Sequence, residues 1–556
     1  MRGVALLLFL LTCAQVGLTV WGNYWNRDLF DALEARSVRG VAAEAGVFAL
    51  IFASSIAVTA AHLLVKRRLQ LDWRAWLTER LLSRWLEAGR HYRLRFVPGE
   101  HDNPDQRIAD DIRVATESAI ALAHTFVYSL LTLGLFVEIL WTVSGSLSLG
   151  DDALHVPGYM VPLAVLYAGV GTALGYLLGR PLVRSTNLLQ TAEANFRFGL
   201  ARARERSEAI ALLRGEPSER RGAAARFAQI ARDWDRQSLA YMGLASFATG
   251  YGGLLPVFPL LVAAPQYIAG AMSLGGLMQA AQAFQRLTSA LSWPVDNVGE
   301  IANWRTAAGR VLSLDRAVER LEAEARAPDH HRIALEQSQE RRLALDDLCI
   351  ADASGLILIE HWSAEIRRGE RVLISGDPTL TSSLFKVIGG LWPWGSGRVS
   401  LPLDGGIHFV PQRPPLGEGT LREALCYPRA VDDGFADGAL RYALECAGVG
   451  WLARRLDERG DWEQSLPLRA QQQLGIARVI LQRPAWVFLD EATNAFDPKG
   501  ERLILEMLNR ELPSSTVMLI SFHPGLASLY PRKLVLSRLA EKKHLFEVQP
   551  EPAASH

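Results

Sequence analysis

Four apolar residues, Trp486-Val-Phe-Leu489, run into a carboxylate pair, Asp490-Glu491. A buried strand that ends this way delivers its acids to the carboxyl edge of a parallel sheet, where α/β proteins bind ligands. There Asp490 can hold Mg²⁺ and Glu491 can polarise an attacking water. Three more polar residues occupy comparable positions: Gln412 in Phe409-Val-Pro-Gln-Arg413, Asp497 closing Asn494-Ala-Phe-Asp, and His523 after Val517-Met-Leu-Ile-Ser-Phe522. Taken singly, each reads as well as a structural strand-end residue.

The elements that must position these groups begin at Leu343. From there short β-rich strings such as Arg371-Val-Leu-Ile-Ser375 and Gly406-Ile-His-Phe-Val410 alternate with helical ones. That alternation predicts an α/β domain with a largely parallel sheet over 343–545, followed by a tail at 546–556. Residues 316–342 are charged and nearly free of long apolar runs, which suits a linker.

Ahead of the linker, residues 1–315 contain apolar runs close to the roughly 20 residues a bilayer-crossing helix needs. They predict six spans, at about 3–22, 42–65, 118–147, 155–178, 241–264 and 275–295. The opening run lacks a clustered basic region and a small-residue cleavage site, so it reads as a retained helix rather than a signal peptide. Residues 66–113 hold eleven Lys/Arg and residues 180–236 hold twelve, whereas the intervening loops hold only Arg27, Arg36 and Arg39. The positive-inside rule then puts both long, helical-looking loops and both ends in the cytoplasm.

Composition agrees with this division. A chain of 556 residues is long enough for two or more domains. Lys+Arg and Asp+Glu both number 59, so no net charge argues for a nucleic-acid partner. Hydrophobic residues make up 49% and charged residues 21%, which excludes a disordered scaffold. Mean hydropathy is +0.09, high for a wholly soluble protein. The four cysteines, Cys13, Cys349, Cys426 and Cys446, show no metal-ligand or disulfide spacing.

In this order and spacing, Gln412, Asp490-Glu491, Asp497 and His523 resemble the nucleotide-binding domain of an ABC transporter. The resemblance implies that Gln412 is the Q-loop residue, Asp490/Glu491 the Walker B pair, Asp497 part of the D-loop and His523 the switch histidine. Further strings are Asn23-Tyr-Trp-Asn-Arg-Asp-Leu-Phe-Asp31, Asp102-Asn-Pro-Asp-Gln-Arg107, Gly179-Arg-Pro-Leu-Val-Arg184, Glu193-Ala-Asn-Phe-Arg197 and Leu391-Trp-Pro-Trp-Gly395. With these the chain resembles the SbmA/BacA-like branch with a fused ATPase domain. That branch implies a type IV membrane domain of six helices per chain and a homodimer in the bacterial inner membrane, among lipid. It also implies uptake of peptides or other hydrophilic, cobalamin-like cargo. ATP and Mg²⁺ are the implied cofactors, with Glu491 and His523 catalytic. Gly376, Thr381, Ser382, Ser383, Gln412, Asp490 and Asp497 would bind nucleotide, and Ser383, Gln412 and Asp490 the metal.

The chain departs from that pattern at two motifs. A P-loop needs glycines, so that N–H groups can surround phosphate, and a lysine for the terminal phosphates. Here the segment reads Gly376-Asp-Pro-Thr-Leu-Thr-Ser-Ser383, with Ser382 or Thr381 at the lysine position and Lys386 about a turn further on. The signature loop reads Leu466-Pro-Leu-Arg-Ala-Gln-Gln472, without the family's Ser and Gly-Glu. The expectation is weak ATP dependence or proton-driven transport. Glu138 and Arg286 lie inside spans, where each ion costs at least about 2.5–3.5 kcal/mol alone. Depths of roughly 15 and 20 Å from the outer boundary predict that they pair within a dimer, in one chain or across two. Glu193, Glu205 and Glu208 are further candidate proton relays, and His62 and His124 can titrate near neutrality. An ordinary ATP-hydrolysing pump, and a non-transporting receptor with a pseudo-ATPase domain, are the alternative readings.

Overall fold

A computed structural model describes residues 2–97, 99, 102–148, 155–326, 332–352, 355–403, 406–430, 434–521, 523–526, 528–536 and 547–548. The expected tail at 546–556 lies outside these apart from 547–548. The chain divides into two units, Met1–Arg84 with Gly99–Ala317, and Trp85–Pro98 with Val318–His556.

The first unit is helical: α1 (Arg2–Glu34), α2 (Val38–Leu86), α3 (Ile112–Val143), α4 (Met160–Glu205), α5 (Glu216–Leu254), α6 (Phe258–Ile268), α7 (Leu274–Leu291) and α8 (Val298–Arg326). Among the described residues, five helical segments are long and apolar enough to cross a membrane, one of them running through α5 and α6. The sixth expected span is α7, helical but interrupted by Gln279, Gln282, Gln285 and Arg286. Helices α2, α4 and α5 continue well past their apolar stretches, so both basic loops are helical extensions of the spans. The spans expected at 118–147 and 155–178 are joined by a short antiparallel pair, β1 (Ser146–Ser148) and β2 (His155–Pro157).

Polar contacts fix how these helices meet. Asp31, near the end of α1, accepts the Gly275 N–H at 2.9 Å, and Glu34 accepts the Leu274 N–H at 2.9 Å. Ser273 caps the same turn from its own side chain. The first turn of α7 thus has its orphan donors met and a negative charge at its positive end. Gly275 is required there, because a Cβ would lie 2.2 Å from the Arg27 carbonyl oxygen. Deeper in, the fully buried Asn23 amide donates to the Gln279 carbonyl and to Gln282 Oε1. The core then closes around Phe284, with Phe136, Leu140, Met160, Ala164 and Ala263 from α3, α4 and α6. Between α4 and α5, the Tyr167 and Tyr251 rings stack at 4.6 Å, and each hydroxyl donates to the other residue's carbonyl, at 2.7 and 3.2 Å.

The second unit holds two larger sheets, besides a short antiparallel pair of Glu418–Thr420 with Arg459–Asp461. The first contains β3 (Ala334–Ser338), β4 (Arg342–Ala351), β5 (Ile357–Arg367) and β7 (Gly395–Pro402), in the order β3-β7-β4-β5. The other contains β6 (Arg371–Gly376), β8 (Ile407–Val410), β9 (Trp486–Asp490), β10 (Thr516–Ile520), β11 (Arg532–Leu536) and β12 (Glu547–Val548), in the order β12-β11-β6-β10-β9-β8. The pairs from β11 to β8 are all parallel, as the alternating strings predict. Helices α9 (Pro378–Ile388), α10 (Asp437–Cys446), α11 (Leu468–Gln482) and α12 (Pro498–Glu511) belong to this unit. Residues 316–342, expected as a linker, hold the end of α8 and all of β3. Segment 85–98 also joins this unit: Phe96 packs on Trp394 and Trp392 with ring centroids 4.6 and 6.1 Å apart, and Arg93 donates to the Gly390 carbonyl at 2.5 Å.

The tyrosine clasp generates a prediction. A Cβ at Gly171 would lie 2.3 Å from the Tyr251 ring, so Gly171→Leu overpacks the α4–α5 seam. The expected cost is about 1–3 kcal/mol, read as a lower thermal midpoint in nanodiscs. An unchanged midpoint would show that the seam gives way freely.

Candidate functional site

The parallel sheet presents the carboxyl ends of β6, β8, β9 and β10 along one edge, because strands paired in parallel end on the same side. Asp490 ends β9, and Glu491 follows with φ +50°, a left-handed turn that swings its side chain away from the strand. Gln412, two residues past β8, brings its amide to 3.5 Å from Glu491 Oε2, and the Asn494 amide reaches 3.4 Å from the same oxygen. Burial and the neighbouring Glu491 push the Asp490 carboxyl above its usual range, while Lys386 pulls it down.

Two residues that the motif reading leaves without a role hold this edge together. Gln472 on α11 is fully buried. Its amide donates to the Gln412 carbonyl at 3.0 Å and to Asn494 Oδ1 at 2.7 Å, and its oxygen accepts the Ala495 N–H at 3.1 Å. One side chain therefore fixes the turns after β8 and β9 to each other. Glu501 on α12 is 1% exposed. It accepts from Thr493 Oγ1 at 2.7 Å and Ser521 Oγ at 3.0 Å, and its other oxygen meets His523 Nδ1. Asp497 lies at the N-cap of α12, and its carbonyl accepts the Glu501 N–H at 2.9 Å. Gln412 and Glu491 thus share one hydrogen-bonded cluster, and Asp497 and His523 meet in a second one around Glu501; the chain joins the two at Thr493-Asn494, and Asp490 ends the strand just before them. Only the four-residue offset of Glu501 from Asp497 hints at its role in the sequence.

The segment after β6 has a different character. Gly376 has φ +124°, and a Cβ there would lie 1.9 Å from the Leu536 carbonyl oxygen, so strand packing alone demands glycine. Helix α9 begins at Pro378, and the Asp377 carboxylate accepts the Thr379 N–H at 2.8 Å. Thr381 and Ser383 are buried and donate back to helix carbonyls, Thr381 to Pro378 at 3.1 Å and Ser383 to Thr379 at 2.7 Å. Ser382 is half-buried on the same helix. Lys386 rests over the Trp392 ring at 5.4 Å. Across the sheet, α11 starts after Pro467 with no side-chain cap. The described residues of 351–355 contain no aromatic ring.

Within one chain of the membrane unit the expected partners do not meet. Among the described residues no ion pair joins Glu138 to Arg286. Arg286 lines a cavity with residues of α1, α2 and α3, whereas Glu138 sits among the exposed Leu135, Trp141 and Thr142. Equal depth did not bring them together, because azimuth around each helix decides what a side chain meets. Glu193, Glu205 and Glu208 are exposed on the α4–α5 extensions. The His62 and His124 rings pack at a tilt, with centroids 4.1 Å apart.

Two predictions follow from the second unit. Glu501→Gln keeps the shape but loses the charge that three donors share, and should lower stability by about 1.5–3 kcal/mol in thermal unfolding of the full chain. A wild-type midpoint would mean that His523 and Ser521 are held by other contacts. On β8, burial and the Arg478 guanidinium push His408 below its ordinary value. The fold thus keeps this ring neutral, and stability is lost as pH falls through about 6.5 toward the lowered value. His408→Gln should flatten that acid limb between about pH 7 and 5, and an unchanged slope would remove His408 as its cause.

Comparison with known proteins sets these features in context. Residues 1–264 match the family described as ABC transporter transmembrane region 2. Over 530 residues the chain is 31% identical to the inner membrane ABC transporter ATP-binding protein YddA of Escherichia coli (strain K12), covering 92% of this chain and 90% of that one. It is 27% identical to the chloroplastic ABC transporter D family member 2 of Arabidopsis thaliana, covering 90% of this chain and 78% of the relative. A bacterial Atm1-family ABC exporter solved with ATP bound shares the fold, with a TM-score of 0.73 at 16% identity over 97% of this chain and 94% of that one. The fold is thus the type IV one expected. These relatives carry ABC transporter and D-family names, with the fold of an Atm1-family exporter, and they overturn the SbmA/BacA-like assignment. The strings that suggested it have structural employment: Asn23 and Asp31 tie α1 to α7, and Arg107 donates to the carbonyls of Asp102 and Arg310.

Proposed function

The chain belongs to the ABC transporter family, and from that membership we propose that it works as a homodimeric membrane half-transporter of a hydrophilic cargo, with weak nucleotide handling. With the SbmA/BacA-like link removed, peptide uptake has no remaining support. Dimerisation rests on chemistry that a single chain lacks: ABC nucleotide sites pair one copy's phosphate loop with the other copy's signature segment. Mass measurement in nanodiscs should therefore return two copies, and a monomer there would overturn the assembly.

ATP and Mg²⁺ are the proposed cofactors, as the name of the Escherichia coli relative suggests for that protein. The residues fit them unevenly. Asp490 and Gln412 are oxygen donors suited to Mg²⁺, and Glu491 and His523 are fixed where a water and a terminal phosphate would be handled. The phosphate cradle does not fit. The one observation that carries this reading is Asp377 accepting the Thr379 N–H, so a carboxylate of the chain already occupies the helix terminus that would receive phosphate. Pro378 contributes no donor, Thr381 and Ser383 spend their hydroxyls on α9, and Lys386 lies against Trp392. Ser383 is accordingly a poor metal ligand in this arrangement.

A lost lysine contact is worth roughly 10²–10³ in rate. Wild type and Glu491→Gln in nanodiscs should then show nearly equal, near-background ATP hydrolysis. ATP binding should be millimolar and should tighten in Asp377→Ala, which frees the α9 terminus. Micromolar binding abolished by Asp490→Ala would instead favour an ordinary ATP-driven pump, the reading that the ordered Gln412–Glu491 and Glu501–His523 contacts support.

A further inference from the structure

Helices α1, α2, α3 and α7 enclose a cavity of about 530 Å³ whose lining carries a positive charge and no carboxylate. Arg286 and Gln282 come from α7, His124 and Tyr128 from α3, Gln15 and Trp25 from α1. Among the described residues Arg286 has no acidic partner. Gln282 Oε1 is committed to Asn23, which leaves its amide N–H groups to face the cavity as donors. Several acids of the same helices are occupied or directed elsewhere, Asp31 and Glu34 at the α7 terminus, Asp28 and Asp72 in ion pairs with Arg27 and Arg68, and Glu138 on an exposed stripe.

A buried histidine, His62, and a half-buried one, His124, form part of this wall. His62 is 6% exposed, and its Nε2 has no hydrogen-bond partner. It packs at a tilt behind His124, which lines the cavity and whose two ring nitrogens are both enclosed and unpartnered. Buried polar atoms left without partners cost about 1–3 kcal/mol each, and His124 recovers that cost when its ring turns a nitrogen toward a ligand in the cavity. Beside them Trp25 and Phe48 pack at 4.8 Å, and the indole is oriented by its bond to the Glu44 carbonyl at 2.8 Å, giving a firm aromatic wall.

We infer that this cavity binds a small organic anion, a carboxylate or sulfonate on an aromatic or aliphatic body. Arg286 meets the charge, His124 and Gln282 donate to it, and Trp25 and Phe48 flank the apolar part. A volume of about 530 Å³ suits one small molecule and is too small for a peptide. An anion also relieves the cost of an unpaired guanidinium at membrane depth. The inference rests on the transporter reading for its meaning as a cargo site, but binding needs no nucleotide and is tested without it.

The experiment compares dansylglycine with dansylcadaverine, which share a fluorophore and differ in charge, on the full chain in phosphatidylcholine nanodiscs. Dansylglycine should give a saturable fluorescence rise and dansylcadaverine none. Arg286→Gln should weaken dansylglycine at least tenfold and Arg286→Lys only a few-fold, with His124→Phe between them. Failure of the wild type to bind, equal binding of both probes, or undiminished binding in Arg286→Gln would overturn the proposal. Displacement of the probe in phosphatidylglycerol nanodiscs would assign the site to an anionic lipid headgroup and overturn the soluble-anion reading.

Discussion

The amino end of α7 is held by two carboxylates of α1, and the membrane unit depends on that junction. Helix α7 is short and carries three glutamines and an arginine, so it cannot rely on apolar character to hold its place. Asp31 and Glu34 satisfy its first N–H groups, Gly275 lets the two backbones approach, and Asn23 ties the helices again deeper down. With α7 fixed, Phe284 and Leu287 become the centre about which α3, α4 and α6 pack. The same placement aims Arg286 and Gln282 at the cavity.

The second unit uses the same device for different ends. Carboxylates again take up donors, Glu501 from Thr493, Ser521 and His523, and Asp377 from the first turn of α9. The two acids hold different ends of the domain, one the turns beyond β9 and β10 and the other the start of α9. Gln472 adds the mechanical link, since the turns that carry Gln412 and Glu491 cannot shift independently while one buried amide binds both.

Much of this was legible in the residue order. The apolar runs gave the spans because a bilayer imposes a length, and the strand strings gave the parallel sheet because buried strands read as continuous apolar segments. Asp490, Glu491, Gln412 and His523 were visible because strand ends fix where side chains emerge. What stayed hidden depended on three-dimensional register. Glu501 and Gln472 act through partners spread over many residues of chain. Thr381 and Ser383 look like ligands until helix α9 is seen to start at Pro378, which puts both hydroxyls inside the helix. Gly376 looks like a phosphate-loop glycine, yet the Leu536 carbonyl is what requires it. The SbmA/BacA-like assignment failed because its strings serve helix junctions that half-transporters of other branches can share.

The reciprocal bonds of Tyr167 and Tyr251 have a mechanical consequence. Each phenol is anchored to the opposite backbone, so sliding α4 along α5 would have to break both bonds and unstack the rings at once. A tilt costs far less than a slide, because the clasp can act as a pivot. The long membrane-to-extension helices of the fourth and fifth spans are therefore coupled as a single lever, stiff along its length, with Gln237 to Thr186 and Phe196 on Phe227 joining them further out.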